Sequence, residues 1–264
     1  MRIALGVEYD GSAFYGWQSQ AGGNTVQDAL EAALSVVAAE PIRVACAGRT
    51  DAGVHALCQV AHFDTEVQRP DTAWVRGVNA NLPPTVAVRW AQPVDDEFHA
   101  RFSAQGRRYR YALLNRPQRP SLWTNYAGWH HMPLDADAMA QAARYLLGEH
   151  DFSAFRAAEC QAKSPIKTLH QADVQRHGDW LIFDFHANAF LHHMVRNLIG
   201  TLVYVGKGAH PPEWAAEVLA SRSRTVAAPT FSAAGLYFAG VDYDPRFGLA
   251  GKIAATGELP FTLI

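Results

Sequence analysis

The sequence predicts an α+β protein with mostly antiparallel strands. Three observations lead to this fold class: the first half has a strand-helix-strand-strand order, the second half contains a hairpin pattern, and strands and helices do not alternate strictly as they do in a parallel doubly wound sheet. Because the two halves have a similar order of elements, we expect two similar β-α-β-β modules, residues 1–104 and 105–264.

The first half opens with a β-rich run at 3–9 that Asp10-Gly11 stops. From Thr25, apolar residues recur at helical spacing as far as Val37, with Asn24 or Thr25 as the N-cap. Four further segments complete this half: strands at 42–46, 58–63 and 86–90 and a helix at 71–78.

The second half contains four predicted strands, at 109–114, 171–176, 180–186 and 236–243. The middle two are separated by His177-Gly178-Asp179 and predict a β-hairpin. A helix at 135–147 is expected to bury one apolar face made of Met139, Ala142, Ala143, Leu146 and Leu147. The segment 190–205 is too long and too periodic for a strand, which predicts a buried helix.

Length and composition indicate an ordinary globular protein. The chain has 264 residues, of which 49% are hydrophobic and 18% are charged. These values exclude intrinsic disorder, collagen-like repeats and short disulfide scaffolds. The 23 basic residues are balanced by 25 acidic ones, a net charge of −2 that argues mildly against a strongly basic nucleic-acid binder.

Cysteine spacing and hydropathy favour a reducing, aqueous compartment. Cys46, Cys58 and Cys160 form no CxxC pair, so neither a disulfide framework nor a zinc knuckle is indicated. Glu8 interrupts the N-terminal apolar run, and no uncharged apolar stretch approaches the roughly 18 residues of a membrane span. We expect a cytoplasmic protein without membrane attachment.

The net charge conceals a strongly basic segment. Residues 99–133 contain six arginines and no lysine, aspartate or glutamate. In a strand, Arg108 and Arg110 would share one face, and Arg107, Tyr109 and Tyr111 the other. Arginines beside aromatic rings are typical of surfaces that bind single-stranded RNA, although an exposed edge strand protected by arginines explains the pattern equally well.

A glycine-flanked turn at 48–56 carries the acidic residue that is the best candidate for chemistry. Asp51 stands between two predicted strands in Gly48-Arg49-Thr50-Asp51-Ala52-Gly53. It could simply hydrogen-bond its own turn, as aspartates often do. Alternatively, it is a nucleophile or general base at the mouth of a cleft.

Six motifs in chain order resemble the TruA family of tRNA pseudouridine synthases. They are Tyr9-Asp10-Gly11 with Gly16-Trp17-Gln18, Gly48-Arg49-Thr50-Asp51-Ala52-Gly53-Val54-His55, Val78-Asn79-Ala80-Asn81-Leu82-Pro83, Phe98-His99-Ala100-Arg101, Arg108-Tyr109-Arg110-Tyr111 and His192-His193-Met194-Val195-Arg196-Asn197. The resemblance implies two ferredoxin-like modules whose mostly antiparallel sheets join across a central catalytic cleft. It also implies isomerisation of uridine to pseudouridine at positions 38, 39 and 40 of the tRNA anticodon arm, without metal or organic cofactor.

The resemblance also implies roles for three catalytic residues. The family's catalytic aspartate falls on Asp51, and its charge partner on Arg196. Tyr109 matches a tyrosine that packs on the target uracil. The carboxylate could attack the sugar C1′, attack the ring C6 or remove a sugar proton, and the sequence leaves these routes open. In each of them Asp51 must be ionised, so a paired cation is physically expected.

Further residues are expected to bind substrate. Arg49 matches an arginine that helps to displace the target nucleotide, and Leu236 an apolar residue of the uracil pocket that could equally be core. Arg108 and Arg110 are expected to contact phosphates. We expect no metal site at His192-His193, because adjacent histidines on a helix point in different directions. The family resemblance implies a homodimer.

Two other functions fit parts of the sequence. A noncatalytic RNA-binding protein would keep the arginine-aromatic strand, but the presence of Asp51, Tyr109 and Arg196 argues against it. An N-glycosidase would direct water at the glycosidic bond, yet no second acidic residue accompanies Asp51 in its motif. The reaction product distinguishes the three functions. A pseudouridine synthase gives an isomer of unchanged mass, an N-glycosidase releases a free base, and an RNA-binding protein leaves the RNA unchanged.

Overall fold

The computed structural model describes residues 1–254, which fall into two compact units. Unit 1 comprises residues 1–105 together with 237–254, and unit 2 comprises residues 106–236. The first boundary lies one residue from the expected one, but the second module was expected to continue to the end of the chain. The segment after Leu236 instead belongs to unit 1, where its strand pairs in parallel with residues 55–56.

The strands and helices follow one another along the chain in the following order: β1 (Arg2–Tyr9), α1 (Val26–Ala38), β2 (Ala45–Cys46), β3 (His55–Asp64), a π-helical segment (Ala73–Gly77), β4 (Val86–Val94), β5 (Ala104–Asn115), β6 (Gly128–His130), α2 (Ala136–Arg144), β7 (Gly148–Asp151), a 3-10 turn (Ser153–Phe155), β8 (Ile166–His177), β9 (Trp180–Ala187), α3 (Met194–Gly206), α4 (Trp214–Ser221), β10 (Leu236–Tyr243), a 3-10 turn (Pro245–Phe247) and α5 (Ala250–Ala254). Helices and strands are mixed and the sheets are mostly antiparallel, which confirms the α+β class.

Unit 1 is built on a sheet with the strand order β4-β1-β3-β10, and β2 pairs with β3. β1 is antiparallel to both of its neighbours. Helix α1 begins where the sequence predicts: Thr25 is its N-cap, and the Thr25 hydroxyl accepts a hydrogen bond from the Asp28 amide. Strand β1 is buried at successive positions, and together with the apolar face of α1 it contributes core side chains such as Ile3, Leu5, Leu30 and Leu34.

Unit 2 has the strand order β5-β9-β8-β7, with β6 alongside β5. The predicted hairpin is present as β8 and β9, which pair antiparallel up to His177 and Trp180. Helix α2 is capped by Asp135, whose carboxylate accepts from the Ala138 amide. Helix α3 is buried along almost its whole length, as its largely apolar sequence indicates.

Three sequence expectations differ from the structure. The strand expected at 42–46 is reduced to Ala45–Cys46, because side chains of α1 bind the preceding amides: Ile42 donates to the Ser35 hydroxyl and Val44 to the Glu31 carboxylate. Helix α2 ends at Arg144, so Leu146 is buried but Leu147 is exposed.

The third difference is the start of α3, which was expected at Phe190. The helix begins at Met194, because His193 has a left-handed backbone with a φ of 60° that a continuous α-helix does not allow. In the described residues, no helix is long and apolar enough to cross a membrane.

Candidate active-site residues in the two units

Asp51 lies in unit 1, in the turn that joins β2 to β3. The turn closes through a 3.1 Å hydrogen bond from the Val54 amide to the Asp51 carbonyl. Gly53 has a φ of 76°, the left-handed conformation that glycine adopts without strain. The glycine that the motif provides after Asp51 is therefore required by the backbone of the turn.

The residue before Asp51 is anchored in the core of unit 1. Thr50 is buried, and its hydroxyl oxygen lies 2.8 Å from the Tyr9 hydroxyl oxygen. The Thr50 carbonyl accepts a 3.0 Å hydrogen bond from the Trp17 amide. Trp17 is itself only 1% exposed, so its ring organises this loop from within and is not available to stack on a nucleotide. The side chain and the carbonyl of Thr50 are thus both fixed.

A second anchor holds the start of the turn. The Gln59 side chain is fully buried and hydrogen-bonds both backbone groups of Gly48: its amide donates to the carbonyl at 2.6 Å, and its oxygen accepts from the amide at 3.4 Å. The roles of Tyr9, Thr50 and Gln59 were not identified from the sequence. A glutamine inside the predicted strand 58–63 was the available signal.

The side chains of the turn differ in how far they are exposed to solvent. Arg49 is exposed, Thr50 is buried and Asp51 is half-buried. Burial raises the pKa of the nearby Cys46 thiol to about 12. The thiol therefore stays protonated at neutral pH and is a poor nucleophile. Within this segment, Asp51 is the group suited to nucleophilic or base chemistry, and Arg49 is the cation presented to solvent.

Tyr109 lies in unit 2 on β5, opposite Phe185 of β9. Its ring is half-buried and meets Phe190 edge to face, with ring centroids 5.0 Å apart. Tyr111, two residues further along the same strand, is fully buried, and its hydroxyl donates to the Ser232 carbonyl. Of these two tyrosines, only Tyr109 has a partly accessible ring.

The two arginines that flank Tyr109 differ in their surroundings. Arg108 is exposed and pairs in register with His186. Arg110 pairs in register with Asp184, and its guanidinium forms a bidentate ion pair with that carboxylate, with N···O distances of 2.6 and 3.2 Å. The acid-free sequence around Arg110 gave no sign of this neutralisation, because Asp184 comes from a strand 74 residues further along the chain.

Arg196 lies in the first turn of α3, also in unit 2. Its Nε donates a 2.9 Å hydrogen bond to the Phe231 carbonyl. In return, the Phe231 amide donates to the Arg196 carbonyl at 3.2 Å. The guanidinium is therefore held by a neighbouring chain segment that no sequence motif identified.

Leu236 and the paired histidines complete the set. Leu236 is buried at the start of β10, a position that suits both a pocket lining and a core residue. His192 and His193 precede α3 instead of lying on it, and their ring centroids are only 4.1 Å apart. The expectation that a helix would point these rings in different directions is wrong, because His193 has a left-handed backbone and the helix begins only after it.

The comparisons with known proteins identify the family. A family model described as tRNA pseudouridine synthase matches residues 6–103 and 142–244 of this chain. These ranges contain Asp51 in its turn and Arg196 on α3. The chain belongs to the tRNA pseudouridine synthase family.

Curated relatives resemble the chain over nearly its whole length. A protein of Dechloromonas aromatica named tRNA pseudouridine synthase A is 66% identical, over 94% of this chain and 95% of the relative. Proteins of the same name from Aromatoleum aromaticum and Polaromonas naphthalenivorans are 63% and 61% identical, over 99% and 98% of this chain and 100% of each relative.

Proposed function

We propose that this protein isomerises uridine to pseudouridine in tRNA. The observation that supports it most strongly is the identity of 66% to a tRNA pseudouridine synthase over 94% of the chain. The reaction breaks the bond between N1 of uracil and C1′ of ribose, turns the detached uracil and joins its C5 to C1′. The proton lost from C5 is balanced by the one gained at N1, so the mass of the tRNA does not change.

Asp51 is the proposed catalytic carboxylate, acting as nucleophile or base. The argument for it is pre-organisation: the turn around Asp51 is held by the bond of Tyr9 to the Thr50 hydroxyl and by bonds of Trp17, Gln59 and Val54 to its backbone. A carboxylate on such a fixed turn needs little reorganisation to reach the transition state. The three routes through C1′, C6 or a sugar proton all use the ionised carboxylate.

Arg196 is the proposed charge partner of Asp51. A carboxylate that is removed from water stays ionised at least cost when a cation is close by. The fixed position of the Arg196 guanidinium against Phe231 supports this role. Tyr109, with its half-buried ring, is proposed to stack on the uracil while the base turns.

The remaining site residues are proposed to bind tRNA. Arg49 and Arg108 are exposed cations suited to phosphates or to a displaced nucleotide. Arg110 is proposed to contribute less charge, because Asp184 offsets it. Leu236 is proposed to line the uracil pocket. The proposed target is the anticodon arm at positions 38, 39 and 40.

Three broader features are also proposals. We infer that the protein acts in the cytoplasm, as expected of a tRNA-modifying enzyme, and as a homodimer in which one tRNA contacts both subunits. We also infer that the two units are related, ferredoxin-like modules. In support, an amphipathic helix follows the first strands of each unit, α1 after β1 and α2 after β5 and the short β6, and each sheet is mostly antiparallel.

The test is to map pseudouridine with a carbodiimide-based assay in unmodified tRNA transcripts treated with the purified protein. We expect pseudouridine at one or more of positions 38–40 with the wild type, and none with Asp51→Asn, which should still fold and bind tRNA. Activity should persist in a chelator, since no cofactor is proposed. Release of free uracil would indicate a glycosidase, and binding without product an RNA-binding protein. Either outcome would overturn the proposal.

The variant Arg196→Ala tests whether Arg196 acts as the charge partner of Asp51 or only binds tRNA. Because the variant would leave the Asp51 charge without its proposed partner, we expect turnover to fall far more than tRNA affinity. A loss confined to affinity would contradict the pairing. For the proposed dimer, light scattering of the free protein should give twice the chain mass, and a monomer mass would refute it.

A further inference from the structure

The segment before β10 is bound closely to helix α3. Its Phe231 exchanges two hydrogen bonds with Arg196, one of them to the Arg196 Nε. Two residues earlier, the Pro229 carbonyl passes over Gly200, where a Cβ atom would lie only 2.2 Å from that oxygen. Helix α3 thus needs a glycine at this position, because the segment 229–231 lies directly on the helix backbone. Arg196 is held between this segment and the helix.

Asn197, the next residue after Arg196, connects three chain segments. Its side chain is fully buried, and its amide donates a 2.8 Å hydrogen bond to the Phe155 carbonyl. Its oxygen accepts from the Thr230 hydroxyl at 2.7 Å and from the Arg224 guanidinium at 3.1 Å. Arg224 also donates to the Thr230 hydroxyl at 3.0 Å. Thr230 is therefore tied to α3 directly beside the residue that binds Arg196.

The chemistry of this position argues for more than packing. A buried amide costs free energy unless its polar atoms find partners, and both the nitrogen and the oxygen of the Asn197 side chain have them. The guanidinium of the half-buried Arg224 is a second polar group at this position, and it donates to both Asn197 and Thr230. These hydrogen bonds fix the position of the 229–231 segment on the first turn of α3.

We propose that Asn197 is a positioning residue for Arg196. Through Thr230, it fixes the segment whose Phe231 carbonyl accepts from the Arg196 Nε, and so it sets the direction of the guanidinium. This inference rests on the proposed function, in which Arg196 acts as the partner of Asp51. Asn197 itself takes no part in the chemistry.

The test compares Asn197→Ala with Asn115→Ala by single-turnover pseudouridine formation at saturating enzyme. Asn115 is the matched control: it is also buried in unit 2, and its side chain binds the His130 and Met132 carbonyls and the Leu134 amide. Both variants should lower the melting temperature. Only Asn197→Ala should lower the rate constant, by about tenfold or more, since small misplacements of catalytic groups have effects of this size. Affinity for tRNA should change by less than about twofold.

The decisive comparison repeats both substitutions in an Arg196→Lys background. Because Asn197 acts through the Arg196 guanidinium, Asn197→Ala should cost less than about twofold there, whereas a purely structural effect would cost the same in both backgrounds. Thr230→Val should reproduce the loss of rate, and Thr230→Ser should restore it.

The outcomes are separable. Equal rate losses in both backgrounds, or a wild-type rate for Asn197→Ala and Thr230→Val, would refute the positioning role while leaving the proposed function intact. Absence of pseudouridine with both the wild type and Asn115→Ala would refute the proposed function itself. If Asn197→Ala does not fold, Thr230→Val carries the same comparison, since it removes only the hydroxyl that accepts from Arg224 and donates to Asn197.

Discussion

Tyr9 and Thr50 share a buried hydrogen bond in which their hydroxyl oxygens lie 2.8 Å apart. Thr50 precedes Asp51, so this bond links the end of the first strand directly to the proposed catalytic turn. Burial raises the pKa of the Tyr9 phenol well above its ordinary value, and the group stays neutral and able to donate at every physiological pH. The position of Asp51 therefore depends on a residue 42 positions away in the sequence.

Removing the Tyr9 hydroxyl should reduce both stability and activity. Tyr9→Phe leaves the Thr50 hydroxyl buried without this partner, which should lower the free energy of unfolding by about 1–2 kcal/mol. The single-turnover rate should fall by about tenfold, because the turn that carries Asp51 loses an anchor.

Tyr243→Phe is the matched control, since the buried Tyr243 hydroxyl donates to the Ala100 carbonyl in the same unit. It should cost similar stability, measured by urea unfolding, and leave the rate unchanged. Equal rates for the two variants would show that the Tyr9–Thr50 bond serves stability alone.

Gly16→Ala should destabilise the protein strongly. Gly16 has a φ of 92°, and a Cβ atom there would lie 2.6 Å from the Thr50 carbonyl oxygen. Strain and collision together should cost about 2–3 kcal/mol in urea unfolding and displace the turn. Gly22→Ala is the control, because a Cβ at Gly22 meets no atom within 4 Å. Similar midpoints for the two variants would contradict the close approach.

Arg108 and Arg110 should contribute unequally to tRNA binding. Arg108 is exposed, whereas Arg110 is half-buried beside Asp184, so Arg108 is the more accessible of the two to a phosphate. Arg108→Gln should therefore reduce the slope of log K against log salt by about one, and Arg110→Gln by clearly less. Binding titrations over a range of salt concentrations measure both slopes. A larger change for Arg110→Gln would show that the Asp184 ion pair opens when tRNA binds.

His62 should make unit 1 sensitive to mild acid. Burial, together with neighbouring positive charge, lowers the His62 pKa from 6.5 to about 4, and its Nδ1 accepts a hydrogen bond from the Ala100 amide. The unfolded chain then binds a proton more readily than the folded one, so stability is full above about pH 6.5 and falls as the pH drops toward 4. Urea midpoints at about pH 7.5 and pH 5 should differ less in His62→Gln than in the wild type. His177→Gln, at an exposed position, should behave as the wild type.

Periodicity and capping residues predicted much of the local structure. The helix that starts after Thr25 and the hairpin around Gly178 are present, because both depend on contacts between near neighbours in sequence. The strand at 236–243 is also present, although its partner, residues 55–56, lies far away in the sequence. Strand β7 and helix α4 were not predicted. Helix α3 was predicted to start too early, because the left-handed backbone at His193 has no signal in its apolar pattern.

The sequence by itself determined the α+β class, the glycine-flanked turn that carries Asp51 and the family, since ordered motifs along one chain need no coordinates to be recognised. Only the tertiary structure decided which groups hold the proposed site residues and their turn: the Gln59 side chain on Gly48, the Asp184 side chain on Arg110, and the backbone of segment 229–231 on Arg196. These partners come from elements 11 to 74 residues away. Hydrogen bonds at such separations depend on how the strands and helices pack, a property that local sequence patterns do not encode.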